Sequence, residues 1–125
     1  MPEKRSKTPK WLADAQEHDY PAAKSYLSLI FPTGQTAKLI SKLRVAKLVQ
    51  FKAKDIFRAS QLSLLGVSNS HVERDGTKIR TGVPLSPVLL VRDTPGGKVI
   101  IADGYHRVCA VYLLGEDAII PCKIV

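Results

Sequence analysis

The most informative segment of the sequence is Val99-Ile100-Ile101-Ala102-Asp103-Gly104-Tyr105-His106-Arg107-Val108-Cys109-Ala110. Its first four residues form a continuous apolar run that is rich in β-branched side chains, which predicts a buried strand. Asp103 and Gly104 interrupt this run, and a helical period follows as far as Gly115, a residue type that commonly ends helices. The sequence therefore predicts a strand that passes through a tight turn into a helix.

The start of that helix has the features of an anion-binding site. The backbone amides of Tyr105, His106 and Arg107 lie in the first helical turn, where they have no partner within the helix. Gly104 has no Cβ and lets a phosphate approach the backbone, and the helix dipole favours negative charge there. Arg107 offers a planar fork for two phosphate oxygens, and His106 adds a donor or a proton shuttle.

Two roles for Asp103 are compatible with this turn. As the helix cap, its carboxylate would accept hydrogen bonds from the same amides and would repel a phosphate. Alternatively, Asp103 is a metal ligand or a general base beside a bound phosphate. The residues alone leave both roles open.

Further strands are predicted on both sides of the turn. Val88 to Val91 is a second apolar run, and the turn sequence between it and Val99 predicts a hairpin. Alternating apolar residues predict a lead strand over Leu48 to Ala53 and a closing strand over Ile119 to Val125. Residues 66–82 are rich in Gly, Ser and Asn, so we expect an irregular loop there with at most a short helix.

Residues 1–47 are expected to form a basic arm and a helical extension that packs on residues 48–125 as one compact unit. Residues 1–10 carry four cations and no apolar anchor, so we expect a mobile arm. Apolar residues at helical spacing predict one helix within residues 11–31 and a second one from Thr33. The length of 125 residues is typical of a single domain.

The charge balance favours an anionic partner. The chain has 19 Lys and Arg against 11 Asp and Glu, a formal net charge of +8. Nucleic acids, nucleotides and phosphorylated small molecules all satisfy this preference, although such a surface also simply keeps a protein soluble. Four lysines form a candidate footprint for a DNA backbone: Lys42, Lys47, Lys52 and Lys54.

The cysteines and the hydropathy pattern define the expected compartment. Cys109 and Cys122 lie in apolar stretches without CxxC spacing, so we expect buried, reduced thiols. No apolar run approaches the roughly 18 residues that a membrane-spanning helix needs, and we expect a cytoplasmic protein.

Residues 48–125 resemble the ParB/sulfiredoxin superfamily. The resemblance rests on four segments in order: Phe51 to Ile56, Gly82 to Val91, Val99 to Gly115 with the Asp103-to-Arg107 turn, and Ile120-Pro121-Cys122. It implies an α/β (α+β) fold, with a small mixed sheet flanked by helices and an N-terminal helical extension. It also implies that the Asp103-to-Arg107 turn binds a nucleotide or another phosphate ester.

Branches of this superfamily differ within the turn. Sulfiredoxins place a nucleophilic Cys where this chain has Tyr105, so the resemblance does not imply sulfinic acid repair. ParB-type clamps have an Arg-rich turn that binds a cytidine nucleotide, whereas this chain has His106 at the first Arg position. The turn is most similar to the Asp-Gly-His-His-Arg turn of nucleotide-dependent free-serine kinases, which it matches at four of five places.

The resemblance implies a phosphotransferase or a nucleotide hydrolase. Asp103, His106 and an acidic residue from the earlier loop, Glu73, are its expected catalytic residues, although Glu73 is equally explained as a solvated loop charge. Mg²⁺, held through Asp103, would accompany ATP, ADP or CTP. The alternative is a ParB-like DNA-binding or nuclease-type module that uses the basic face.

Overall fold

The computed structural model of the protein describes residues 8–66 and 68–125. Within these residues the chain forms an α+β fold of five helices and one four-stranded sheet, which confirms the predicted fold class. The elements in chain order are α1 (Asp19–Leu27), α2 (Thr33–Val45), β1 (Val49–Lys52), α3 (Ala53–Ser60), α4 (Ser70–Thr81), β2 (Val88–Asp93), β3 (Lys98–Asp103), α5 (Tyr105–Leu114) and β4 (Ile119–Ile124). Residues 1–7 of the predicted basic arm lie outside the described residues.

The sheet is mixed and has the strand order β1-β4-β2-β3. Strands β2 and β3 form the predicted antiparallel hairpin, with Leu90 opposite Ile101. Strand β4 runs parallel to β2, with Val88 opposite Cys122, and antiparallel to β1. Because β4 is an interior strand, Ile120 to Lys123 are all buried, which includes the Lys123 side chain.

Helices cover both faces of the sheet. On one face, Val88 and Leu90 belong to a core that also contains residues of α3, α4 and α5. On the other face, Leu89 and Val91 pack with residues of α1 and α2, among them Leu27. Successive side chains of a strand point to opposite faces, so the continuous apolar sequence of β2 reflects burial on both sides.

The prediction of an irregular loop over residues 66–82 is wrong, because α4 occupies most of that segment. The Asn69 side chain accepts hydrogen bonds from the amides of His71 and Val72 and so begins the helix. Gly82, in a left-handed conformation, ends it. The helix has few apolar residues, and only a narrow face that includes Ile79 is buried against the core. The helical repeat of apolar residues was therefore weak in the sequence.

Two other predicted segments also differ from the structure. The lead strand ends at Lys52, and Ala53 begins α3, a helix that the sequence prediction lacked. The first helix covers only Asp19–Leu27 of the predicted span 11–31. Within the described residues, no helix combines the length and the apolarity needed to cross a membrane.

The prediction that both cysteines are buried, free thiols is confirmed. Burial raises the pKa of Cys122 to about 12 and also raises the pKa of Cys109 above its ordinary value. We therefore expect a thiol reagent to label both native cysteines far more slowly than an exposed thiol at neutral pH. A Ser25→Cys variant on the exposed face of α1 is the internal standard. Labelling of Cys109 or Cys122 as fast as Cys at position 25 would contradict this expectation.

Candidate functional site

A polar cleft of about 250 Å³ opens where β3 passes into α5. Four of the predicted site residues line this cleft: Asp103, predicted as catalytic, and Gly104, His106 and Arg107, predicted to bind phosphate. The remaining lining residues are Gln16, His18, His71, Arg74, Asp75, Lys78, Pro84, Leu85 and Ser86. All three histidines of the chain therefore line one cleft.

Gly104 shapes the turn at the base of the cleft. Its φ of 112° is a conformation that side-chain-bearing residues rarely adopt. A Cβ at this position would lie 2.9 Å from both Arg107 Nη2 and Val88 Cγ2. The backbone of Gly104 therefore lies against Arg107 and Val88 in a way that only glycine permits.

Asp103 does not cap helix α5. It is the last residue of β3, and Gly104 occupies the cap position. Across residues 8–66 and 68–125, no side chain accepts a hydrogen bond at the start of α5. The first-turn amides of α5 are thus not used by Asp103, and the predicted conflict between a carboxylate cap and a bound anion does not arise.

The Asp103 carboxyl instead forms an ion pair with Arg107. Arg107 Nη2 donates to Asp103 Oδ2 at 3.0 Å and to the carbonyl of Pro87 at 3.4 Å. Arg107 Nε is buried and has no hydrogen-bond partner among the described residues. The guanidinium is therefore held in a fixed orientation at the base of the cleft.

The charge of Asp103 depends on its surroundings. Burial raises the pKa of this carboxyl, the Arg107 guanidinium opposes the rise, and the neighbouring Asp19 carboxyl adds to it. The Asp19 side chain is only 3% exposed. It accepts hydrogen bonds from the Ser86 hydroxyl and from the backbone N–H of Gln16. Sequence reasoning missed two acidic residues here: Asp75, which lines the cleft, and Asp19, which is buried and hydrogen-bonded to the cleft residue Ser86.

His106 packs near two other aromatic rings. Its ring centroid lies 4.8 Å from that of His71 and 5.5 Å from that of Tyr105. Burial lowers the pKa of His106, and the neighbouring His71 lowers it further, while Asp75 opposes this effect. Near neutral pH the folded protein therefore favours the uncharged imidazole.

The lowered pKa of His106 predicts a pH dependence of stability. The unfolded chain binds a proton at His106 more readily than the folded chain does, so the folded state loses stability as the pH falls below about 6.5. Replacing His106 by Gln removes this contribution. In phosphate-free buffer, the free energy of unfolding of His106→Gln should therefore decrease less between pH 7 and pH 5 than that of the wild type. If urea unfolding gives the same dependence of the free energy on pH for both proteins, the lowered pKa of His106 is contradicted.

Helix α4 supplies one wall of the cleft. Four of its residues line the cleft and are spaced to lie on one helical face: His71, Arg74, Asp75 and Lys78. This spacing was present in the sequence, but it is informative only once the segment is known to be a helix. Glu73 is exposed in the first turn of α4 and does not line the cleft, whereas Asp75 is 7% exposed and does.

Tyr105 lies on the opposite side of the turn. Its hydroxyl donates to the carbonyl of Ser63, which fixes the ring. There it lines a second, more apolar cleft of about 420 Å³ together with Tyr26 and Leu62. Asp103, Gly104 and His106 border both clefts.

The four lysines of the predicted DNA-binding face lie away from the polar cleft. Lys42 and Lys47 are exposed, on α2 and in the segment that follows it. Lys54 Nζ lies 2.8 Å from the Asp117 carboxylate, and Lys52 Nζ lies 3.7 Å from it. A nearby carboxylate therefore partly offsets the positive charge of this face.

Within the described ranges, no group of three or more His, Cys, Asp or Glu residues is arranged to hold a metal ion. Comparison of the chain with protein-family models, with curated proteins and with solved structures found no match. The resemblance to the ParB/sulfiredoxin superfamily therefore stays a prediction from the sequence.

Proposed function

We propose that the polar cleft binds the phosphate of a nucleotide or of another phosphate ester. The observation that carries this proposal is the start of α5, where the amides of Tyr105 to Arg107 have no side-chain cap and Arg107 lies beside them. Amides at a helix start and a guanidinium are the groups that proteins commonly use for phosphate.

The charge of the cleft supports the same ligand. Its lining includes three permanent cations, Arg74, Lys78 and Arg107, and the three histidines, against the two carboxyl groups of Asp75 and Asp103. Burial disfavours the charged form of Asp103, which reduces its repulsion of an anion. An anionic ligand would therefore find a surplus of positive charge and of hydrogen-bond donors.

Catalysis at this site would be phosphoryl transfer or hydrolysis. Asp103 and His106 border the place proposed for the phosphate and are the candidate groups for proton transfer. Mg²⁺ is usually bound by one or two carboxylates together with substrate phosphates, so Asp103 would hold it only with the ligand present. Glu73 is not part of this proposal because it does not line the cleft. We also propose a cytoplasmic location, because thiols such as Cys109 and Cys122 stay reduced there.

The test is the affinity of the wild type and of Arg107→Gln for inorganic phosphate, ATP, ADP and CTP, with and without Mg²⁺, by calorimetry. We expect Arg107→Gln to weaken binding by about 1.5–3 kcal/mol, the range for hydrogen bonds to charged groups. Arg58→Gln, which changes an exposed arginine on α3, is the matched control and should bind like the wild type. Equal affinities of the Arg107 variant and the wild type would refute the proposal.

The salt dependence of binding distinguishes the DNA-binding alternative from the proposed function. A protein that neutralises several DNA phosphates loses affinity steeply with salt, with a log–log slope of about −0.9 per phosphate. A cleft that holds one phosphate ester responds far less. Duplex DNA binding that is steeply salt-dependent and is lost in Lys42→Glu/Lys47→Glu, without any nucleotide binding, would replace the proposed function with the alternative.

A further inference from the structure

The second cleft, of about 420 Å³, borders the same turn as the polar cleft but has a different lining. It contains two tyrosine rings, Tyr26 of α1 and Tyr105 of α5, and the aliphatic side chain of Leu62. The remaining lining residues are Ala22, Ile101, Ala102, Asp103, Gly104 and His106. Most of the described residues around this cleft are therefore apolar or aromatic, which suits a ligand group with few charges.

The large side chains of the second cleft present apolar surface to solvent. Tyr26 is 44% exposed and Leu62 is 42% exposed. Tyr105 packs against one core, and its hydroxyl donates to the Ser63 carbonyl, so its ring is held in place. Exposed apolar side chains grouped around a concave surface are typical of a ligand-binding groove. The cleft thus offers one fixed aromatic ring and a second, exposed one that a planar group can cover.

The two clefts adjoin at the turn, since Asp103, Gly104 and His106 line both of them. The polar cleft, at about 250 Å³, is smaller than the roughly 300–1,000 Å³ of pockets that hold a whole small-molecule ligand. It has room for a phosphate group, so the remainder of a phosphate ester lies outside it. The second cleft is an adjoining concavity of sufficient size, and a ligand reaches it across Gly104 and His106.

We propose that the second cleft binds the base of a nucleotide whose phosphate lies in the polar cleft. The base stacks on the rings of Tyr26 and Tyr105, because every nucleobase has a π-face that aromatic side chains can contact. Three residues of the turn border both clefts, so a spacer is needed between the phosphate and the planar group. The ribose of a nucleotide supplies this spacer. The inference rests on the proposed function and narrows its ligand from any phosphate ester to a nucleoside phosphate.

The test compares the binding of AMP and of ribose 5-phosphate, which lacks the base, to the full chain. NMR titration gives both affinities. The amide signals of Tyr105 to Arg107 respond to the phosphate, and the methyl signal of Ala22, which lines the second cleft, responds to the ring current of the base. We expect the wild type to bind AMP about tenfold more tightly than ribose 5-phosphate, within the range for stacking of a base on aromatic side chains. Only AMP should shift the Ala22 signal.

Variants of Tyr26 test the stacking itself. Tyr26→Ala should weaken AMP binding by at least about fivefold and leave the affinity for ribose 5-phosphate unchanged. The variant should fold, because Tyr26 is exposed on α1 and alanine favours a helix. Tyr26→Phe keeps the ring and should bind AMP within about twofold of the wild type. Leu29→Ala is the matched control, since Leu29 follows α1, is 85% exposed and does not line the cleft.

Equal affinities of the wild type for AMP and ribose 5-phosphate would overturn the inference, as would an AMP affinity that Tyr26→Ala leaves unchanged. The proposed phosphate site stands in both cases if the two ligands shift the amide signals of Tyr105 to Arg107. If no phosphate compound shifts these signals, the proposed function fails. Adenosine then decides the base site by itself: a shift of the Ala22 signal in the wild type that is lost in Tyr26→Ala supports it, and any other result rules it out.

Discussion

Gly104→Ala is expected to destabilise the protein by roughly 2–4 kcal/mol, from a strained backbone and an overpacked core. The φ of Gly104 is 112°, and the added methyl would lie 2.9 Å from Cγ2 of Val88, a fully buried side chain. The same methyl would lie 2.9 Å from Arg107 Nη2, so the guanidinium must move and phosphate affinity should fall with stability. Urea unfolding and phosphate titration measure the two effects.

Gly115→Ala is the matched control. Gly115 follows α5, has an extended φ of −173°, and a Cβ built there meets no atom of the described residues within 4 Å. This substitution should leave stability unchanged or raise it by up to about 1 kcal/mol, because it restricts the unfolded chain. A Gly104→Ala variant as stable as Gly115→Ala, with wild-type phosphate affinity, would show that the described turn is incorrect.

Lys123→Glu is expected to cost roughly 3–5 kcal/mol, the range for a buried charge that has lost its partner. The new carboxylate would face the Asp14 carboxylate and the Arg44 carbonyl, which now accept hydrogen bonds from the lysine. Burial lowers the pKa of Lys123, but hydrogen bonds to Tyr20 and Asp14 outweigh this effect and keep it above its ordinary value. The surroundings of Lys123 therefore favour its charged ammonium form.

Lys123→Met separates charge from packing. Methionine fills much of the same space without a charge, so we expect a loss of only about 1–2 kcal/mol from the missing hydrogen bonds. Urea unfolding of the three proteins at pH 7 provides the comparison. Equal losses for Glu and Met would show that the charge of Lys123 does not hold the N-terminal segment to β4.

Gly104→Ala and Lys123→Glu act on different parts of the structure around the cleft. Gly104 lies between the turn and the core. Lys123 contacts Asp14 and Tyr20, which lie on either side of the cleft residues Gln16 and His18. Helices α1 and α2 also pack on the face of the sheet that carries Leu89 and Ile100. Stability and site geometry are therefore coupled through the N-terminal residues.

The elements that could be predicted from the sequence are those with local signals. The hairpin, the turn at Asp103-Gly104 and helix α5 agree with the structure because turn residues and periodicity act over a few neighbouring positions. The grouping of Gly104, His106 and Arg107 at the base of one cleft followed from the same short stretch. Periodicity failed at α4, whose narrow apolar face is stabilised by tertiary burial.

The contacts between polar groups that are distant in the sequence could not be predicted from it. The Ser86 hydroxyl and the Asp19 carboxyl are separated by 67 residues, and Lys123 and Tyr20 by 103. A carboxylate before a helix can cap it or pair with a cation, and Asp103 pairs with Arg107 because Gly104 lets the guanidinium pack across the turn. Such choices depend on burial and on distant partners, and neither is encoded in the local pattern of residues.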